Sequence, residues 1–109
     1  MEIGAQDVIL LYLYETHSFE SLTEEEVPST FTKDAVALRC GINRSELENQ
    51  LTDLKKDVVI RKKRISRRKV ASECVFLNSK GVVRAKGIMA VVSEKRVDFV
   101  DERGERRNM

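Results

Sequence analysis

Nine basic side chains fall within sixteen residues: Lys55, Lys56, Arg61, Lys62, Lys63, Arg64, Arg67, Arg68 and Lys69, with Asp57 the single acid among them. Cations at that density suit one chemistry above others, the neutralisation of a polyanion such as a nucleic-acid backbone. Just upstream, Ser45, Asn49, Thr52 and Lys56 recur at intervals of three or four and share one face of a helix. Ser, Asn and Thr pair with base edges, Lys56 would meet a phosphate, and Arg44 suits a phosphate or a guanine. Residues 1–32, by contrast, hold seven acids and no Lys or Arg. The net charge of +2 is therefore a cancellation between an acidic front and a basic centre.

Other chemistries find little to work with. The one histidine, His17, and two isolated cysteines, Cys40 and Cys74, make no metal-ligand set, and no C-x-x-C occurs. The five glycines are scattered, so no phosphate-cradling loop is present. No nucleophile–base pattern stands out, so the chain reads as a non-enzyme with no cofactor and no metal. The cysteines read as reduced thiols of a cytoplasmic protein. No apolar run approaches the roughly 20 residues of a membrane span, and no basic-then-apolar leader opens the chain. Bland readings stand beside the sharp ones. The basic cluster is also compatible with a solvated face, the polar helix face with ordinary exposure, and the cations with RNA as well as DNA.

The 109 residues, 41% of them hydrophobic, suit one domain with a real core. Residues 6–16 read as a first helix, with Val8, Leu11 and Tyr12 on a stripe that Ile9, Leu10, Leu13 and Tyr14 widen. Residues 17–26 read as an acidic loop, and Val27-Pro28 as a short extended piece. Thr32 caps a second helix, Lys33–Cys40, which Gly41 ends in a left-handed turn. Asn43 caps a third helix over about 44–56, with Glu46 completing a capping box and Leu47, Leu51, Leu54 and Val58 forming its core stripe. Val58–Ile60 and Cys74–Leu77 read as strands of a hairpin loaded with Lys and Arg. Asn78 caps a fourth helix through Met89. Val91–Val92 and Val97–Val100 read as extended segments, 102–105 as a turn and 106–109 as a disordered tail.

Two helices joined by a tight glycine turn and followed by a basic hairpin form a helix-turn-helix with a wing. Residues 32–56, with Thr32-Lys33, Ala37, Gly41-Ile42-Asn43-Arg44-Ser45 and Leu47-Leu51-Leu54, resemble the helix-turn-helix of archaeal winged-helix proteins of the MarR-like type. Those that precede larger ATPase or repeat domains are the nearest in pattern. Arg67-Arg68-Lys69 is similar to the basic wing of that family, and Leu77 through Ala85 to its entry into the next helix. Asp57-Val58 stands where the family usually has glycine before the first wing strand.

The expected fold is thus α+β, a winged helix-turn-helix with a three-helix core, a basic β-hairpin wing, a fourth helix and a C-terminal extended hairpin. Residues 1–90 form the domain, with the wing at about 58–77, and 91–109 form extended segments that lead to a further domain. The expected function is a DNA-binding transcriptional regulator or its N-terminal DNA-binding part. Helix 44–56 would lie in the major groove of double-stranded DNA and residues 61–69 on phosphates or in the minor groove. A homodimer through the first and last helices, using Leu10, Tyr14 and residues around Ile88, would match half-site symmetry. The alternative is a protein-interaction module that docks a neighbouring domain or an acidic partner. The acids on the third helix favour that alternative.

Overall fold

The computed structural model describes residues 3–102 of the chain, with side chains described as far as residue 92. The elements run α1 (Ala5–Glu15), β1 (Glu26–Val27), a 3-10 turn (Ser29–Phe31), α2 (Lys33–Cys40), α3 (Arg44–Asp53), β2 (Val58–Ile65), β3 (Ala71–Leu77) and α4 (Ser79–Glu102). This is an α+β winged helix: helices α1 to α3 pack into a core, β2 and β3 form the wing, and α4 packs back on α1.

Local chemistry sets most boundaries. The Thr32 hydroxyl accepts the Ala35 amide at 3.1 Å, which satisfies one orphan donor at the start of α2. Gly41 takes φ 73°, and the Ile42 amide reaches back to the Ala37 carbonyl at 3.0 Å, closing α2 in a Schellman turn. Asn43 accepts the Glu46 amide at 2.7 Å. Glu46 itself bonds Gln50 rather than returning to the cap, so the expected box is only half made. Asn78 accepts the Gly81 amide at 2.9 Å and opens α4. At the end of α1 the left-handed residue is His17, at φ 58°, and the Ser18 amide bonds the Leu13 carbonyl at 2.9 Å. A non-glycine residue there carries no sequence signal.

The sheet has the order β1-β2-β3, with β1 parallel to β2 and β2 antiparallel to β3. Both its faces are buried at the base. One packs Val58, Val75 and Leu77 against Ile9, Leu10, Leu13, Val36, Leu47, Leu51 and Leu54 of the helices. The other packs Ile65, Cys74 and Phe76 against Val27 and Phe31, with the Phe31 and Phe76 rings edge to face at 5.7 Å. That double burial explains why Cys74–Leu77 is a continuous apolar run. Segment 19–32 straps the second face. Phe19 bridges Leu77 and Thr32 bridges Cys74, while β1 pairs Val27 with Ile65 of β2.

Four expectations are corrected. The fully buried stripe of α1 is Ile9, Leu10 and Leu13, and Val8, Leu11 and Tyr12 are only half-buried beside it. The third helix ends at Asp53 rather than 56, because Val58 must enter the sheet. Its amide and that of Asp57 both bond the Leu54 carbonyl in the connecting turn. The strands are longer than the apolar residues alone suggested, since the basic residues 61–64 pair along the whole ladder. The C-terminal extended hairpin is absent: residues 91–102 continue α4 as helix. No glycine or proline interrupts the chain between Ile88 and Glu102, and Ala90, Glu94, Lys95 and Arg96 favour helix around the valines. Ala85, Ile88 and Val92 meanwhile bind α4 to the core at helical spacing. Local β propensity yields to a helix already capped and packed. The tail 106–109 and most of the turn at 102–105 lie outside the described residues.

Candidate nucleic-acid interface

Helix α3 buries Leu47 and Leu51 and turns Ser45, Glu48, Asn49 and Thr52 to solvent. Ser45 and Asn49 stand exposed as the spacing predicts. The Thr52 hydroxyl donates back to the Glu48 carbonyl at 2.9 Å, which leaves its oxygen as an acceptor only. Lys56 leaves the helix and is exposed in the turn that follows. There its carbonyl accepts the Asn78 side-chain amide at 2.7 Å.

The wing separates its cations by the alternation of the strand. Lys62 and Arg64 share the face of Val58 and Ile60, the helix side, while Arg61 and Lys63 share the face of Ile65, the strap side. On the strap side Arg61 pairs with Glu20 at 3.4 Å and the Lys63 ammonium donates to the Glu24 carbonyl at 3.3 Å. Among the described residues no carboxylate lies within 4.0 Å of the charged groups of Lys62, Arg64, Arg67, Arg68 or Lys69. The last three sit exposed at the tip, where the Arg68 amide bonds the Ile65 carbonyl at 3.0 Å and Arg67 takes φ 67°. A positive φ at arginine stores strain of about 1 kcal/mol or more in the turn that presents this triplet.

Sequence reasoning missed the centre of the surface. Lys33, at the first position of α2, is buried, and its ammonium bonds Glu48 of α3 at 3.1 and 3.2 Å and Glu73 of β3 at 3.1 Å. Glu73 lies opposite Lys62 across the strands, so helix α3 and the helix side of the wing meet around this lysine. Arg44 is likewise engaged. Its guanidinium reaches Asp34 at 2.5 Å and Glu48 at 3.1 Å. Hydrogen bonds from Lys33 first and Arg44 second hold the Glu48 carboxyl below the usual glutamate range. The hydrogen bonds that Arg44 donates to Asp34 first and Glu48 second raise its own value further. The Arg44–Glu48 pair, four residues apart on α3, has a local spacing, whereas the other partners of this network stand 10 to 40 residues apart.

Two further side chains tie the base of the wing to α4. The Asp57 carboxylate, almost wholly buried, accepts Arg84 at 2.7 Å. Gly81 packs so closely on the Asp57 carbonyl that a Cβ there would lie 2.2 Å from its oxygen. Leu10 and Ile88, expected at a dimer contact, are in the core, and Tyr14 packs on Phe19 with ring centroids 5.9 Å apart. Among the described side chains of α4, the exposed large apolar ones are instead Val83 and Val91.

No protein-family model matches the sequence, and no curated protein matches it. Solved structures do. A point mutant of MepR from S. aureus is 16% identical with a TM-score of 0.66, over 91% of this chain and 64% of that one. MepR itself, a transcription regulator of the Staphylococcus aureus multidrug efflux pump MepA, is 17% identical with a TM-score of 0.62, over 91% and 64%. MepR bound to ethidium bromide is 17% identical with a TM-score of 0.59, over 91% and 63%. The chain thus spans under two thirds of the length of these proteins. The fold that this chain shares with these structures is the winged helix. These structures come from S. aureus, and they lend no support to the archaeal part of the resemblance.

Proposed function

We propose that this chain is a DNA-binding winged-helix module, a transcriptional regulator or the DNA-binding part of one, and not an enzyme. Helix α3 enters the major groove, with Ser45 and Asn49 toward base edges, while the wing tip Arg67-Arg68-Lys69 lies on phosphates or in the minor groove. The carrying observation is the set of exposed wing cations, Lys62, Arg64, Arg67, Arg68 and Lys69, that no carboxylate neutralises among the described residues. Lys62 adjoins the exposed side of α3 through Glu73 and Lys33, and Arg64 shares the face of Lys62, so wing and helix offer one surface. Arg61 and Lys63 stand on the other face and are partly satisfied there, which removes them from the direct contact. A second copy docks through α4, where Val83 and Val91 are exposed on one side of the helix. The transcription-regulator description of MepR accords with this reading, which would place the chain in the cytoplasm.

Fluorescence anisotropy on duplex DNA across a salt series tests it. Log affinity should fall linearly with log salt, by about 0.9 for each phosphate contacted and so by about 4 to 5 if all five wing cations engage. Charge reversal of Arg67, Arg68 and Lys69 should weaken binding to every sequence alike, whereas Asn49→Ala should change the preference among sequences. The complex should contain two chains per duplex. A wild-type chain that fails to bind duplex DNA at low salt refutes the reading. It would then favour the protein-interaction alternative, for which the acids Asp34, Glu48 and Glu20 set against Arg44 and Arg61 are the supporting observation.

A further inference from the structure

Arg44 opens α3, the position from which a recognition helix reaches DNA, yet both arms of its guanidinium are occupied. Asp34 comes from the first turn of α2 and Glu48 from the next turn of α3, so the fork is filled by two carboxylates from two helices. An arginine fork donates to carboxylate and phosphate oxygens with the same geometry. We propose that Asp34 and Glu48 set the strength of DNA binding by holding Arg44 as internal stand-ins for a backbone phosphate, which must displace them when α3 docks. The inference rests on the DNA-binding reading above.

Three features make the exchange feasible. Both ion pairs are open to water, with side-chain exposures of 47% for Arg44, 47% for Glu48 and 81% for Asp34, so solvent screens each pair and each yields to a better anion. When Arg44 leaves, Glu48 keeps a partner, because the buried Lys33 ammonium holds both of its oxygens from the other side. Asp34, the most exposed of the three, returns to water. The other acids of α3 are engaged elsewhere, Glu46 with Gln50 and Asp53 with Gln6, and so do not compete for Arg44.

The test compares Asp34→Asn and Glu48→Gln in the wild-type chain and in an Arg44→Met background, with duplex DNA as the probe and affinity read across the salt series. Each neutralisation should raise affinity about threefold with Arg44 present, which corresponds to an exposed pair of under 1 kcal/mol. The salt slope should stay unchanged, since Arg44 meets the same phosphate in both chains once the acids have left. Without Arg44 both gains should vanish. Equal gains without Arg44, or equal gains from Glu46→Gln and Asp53→Asn, overturn the proposal, since the acids would then act by general repulsion. Asp34→Asn leaves the Lys33 contacts intact and carries the test if Glu48→Gln folds poorly. A wild-type chain without DNA binding would overturn the functional reading itself, whereas binding with no gain from either variant overturns this inference alone.

Discussion

Replacing Gly81 by alanine should destabilise the domain, and replacing Gly87 by alanine, further along the same helix, should stabilise it. At Gly81 the new Cβ would lie 2.2 Å from the Asp57 carbonyl oxygen and 2.9 Å from Cδ2 of Leu77. A carbon and a carbonyl oxygen rest at about 3.3 Å or more, so the helix start and the turn before β2 must part by about 1 Å. Neither neighbour yields easily. The Asp57 carbonyl is backbone that accepts the Asn78 amide at 3.0 Å, and Leu77 is in the core. The movement also strains the Asn78–Lys56 and Arg84–Asp57 hydrogen bonds, each 2.7 Å. Overpacking of this kind costs about 3 kcal/mol, and the helix preference of alanine returns at most about 1 kcal/mol. The net loss of about 2 kcal/mol lowers Tm by about 8–16 °C for a domain of this size. At Gly87 no atom lies within 4 Å of the added methyl, so only the preference acts, and Tm should rise by about 4–8 °C. Thermal melts by circular dichroism read both. A Gly81→Ala variant that melts at or above the wild-type temperature would refute the close approach of α4 to the α3–β2 turn.

Two other expectations concern titrating groups. Burial pushes the Cys40 thiol up to about 11 and raises Cys74 as well, so both should remain thiols. Iodoacetamide at pH 8 should label Cys40 about two orders of magnitude more slowly than an unperturbed cysteine until denaturant is added, and fast labelling of the native chain would contradict the packing. The Glu48 carboxyl is held low by Lys33 and Arg44, so its contribution to stability is present above the ordinary glutamate value of about 4.3 and lost as pH falls through its lower folded value. The Tm difference between wild type and Glu48→Gln should therefore stay constant from about pH 7 to about pH 5 and shrink below about pH 4. A difference that persists unchanged in acid would show that Glu48 gains nothing from its charge.

The helix-turn-helix was legible because its signals are local. Thr32, Gly41, Asn43 and Asn78 each act on backbone groups within a few residues, and each bond expected of them is made. The wing was legible as charge, though its strands run further than its apolar residues do. Burial on both faces marks a strand only where the side chains are apolar, and residues 61–64 are held by the ladder instead. The C-terminal segment misled for the opposite reason: paired valines suggested strand, yet nothing in the one-dimensional pattern showed that α4 was already anchored by Ala85 and Ile88. Lys33 read as an ordinary first-turn residue, and its burial between two carboxylates depends on partners 15 and 40 positions away.

The sequence alone determined the order of the elements as far as α4, the caps of α2 and the starts of α3 and α4, and the concentration of cations in one hairpin. These follow from hydrogen bonds between near neighbours and from composition, which need no knowledge of the fold. Only the tertiary structure decided which cations remain unpaired. The two-residue period of a strand assigns Lys62 and Arg64 to one side and Arg61 and Lys63 to the other only once the helical core and the acidic strap have chosen their faces. The same assembly brought Asp34 onto Arg44 and Lys33 onto Glu48, because a charged side chain finds its partner through space, at distances that the spacing along the chain does not encode.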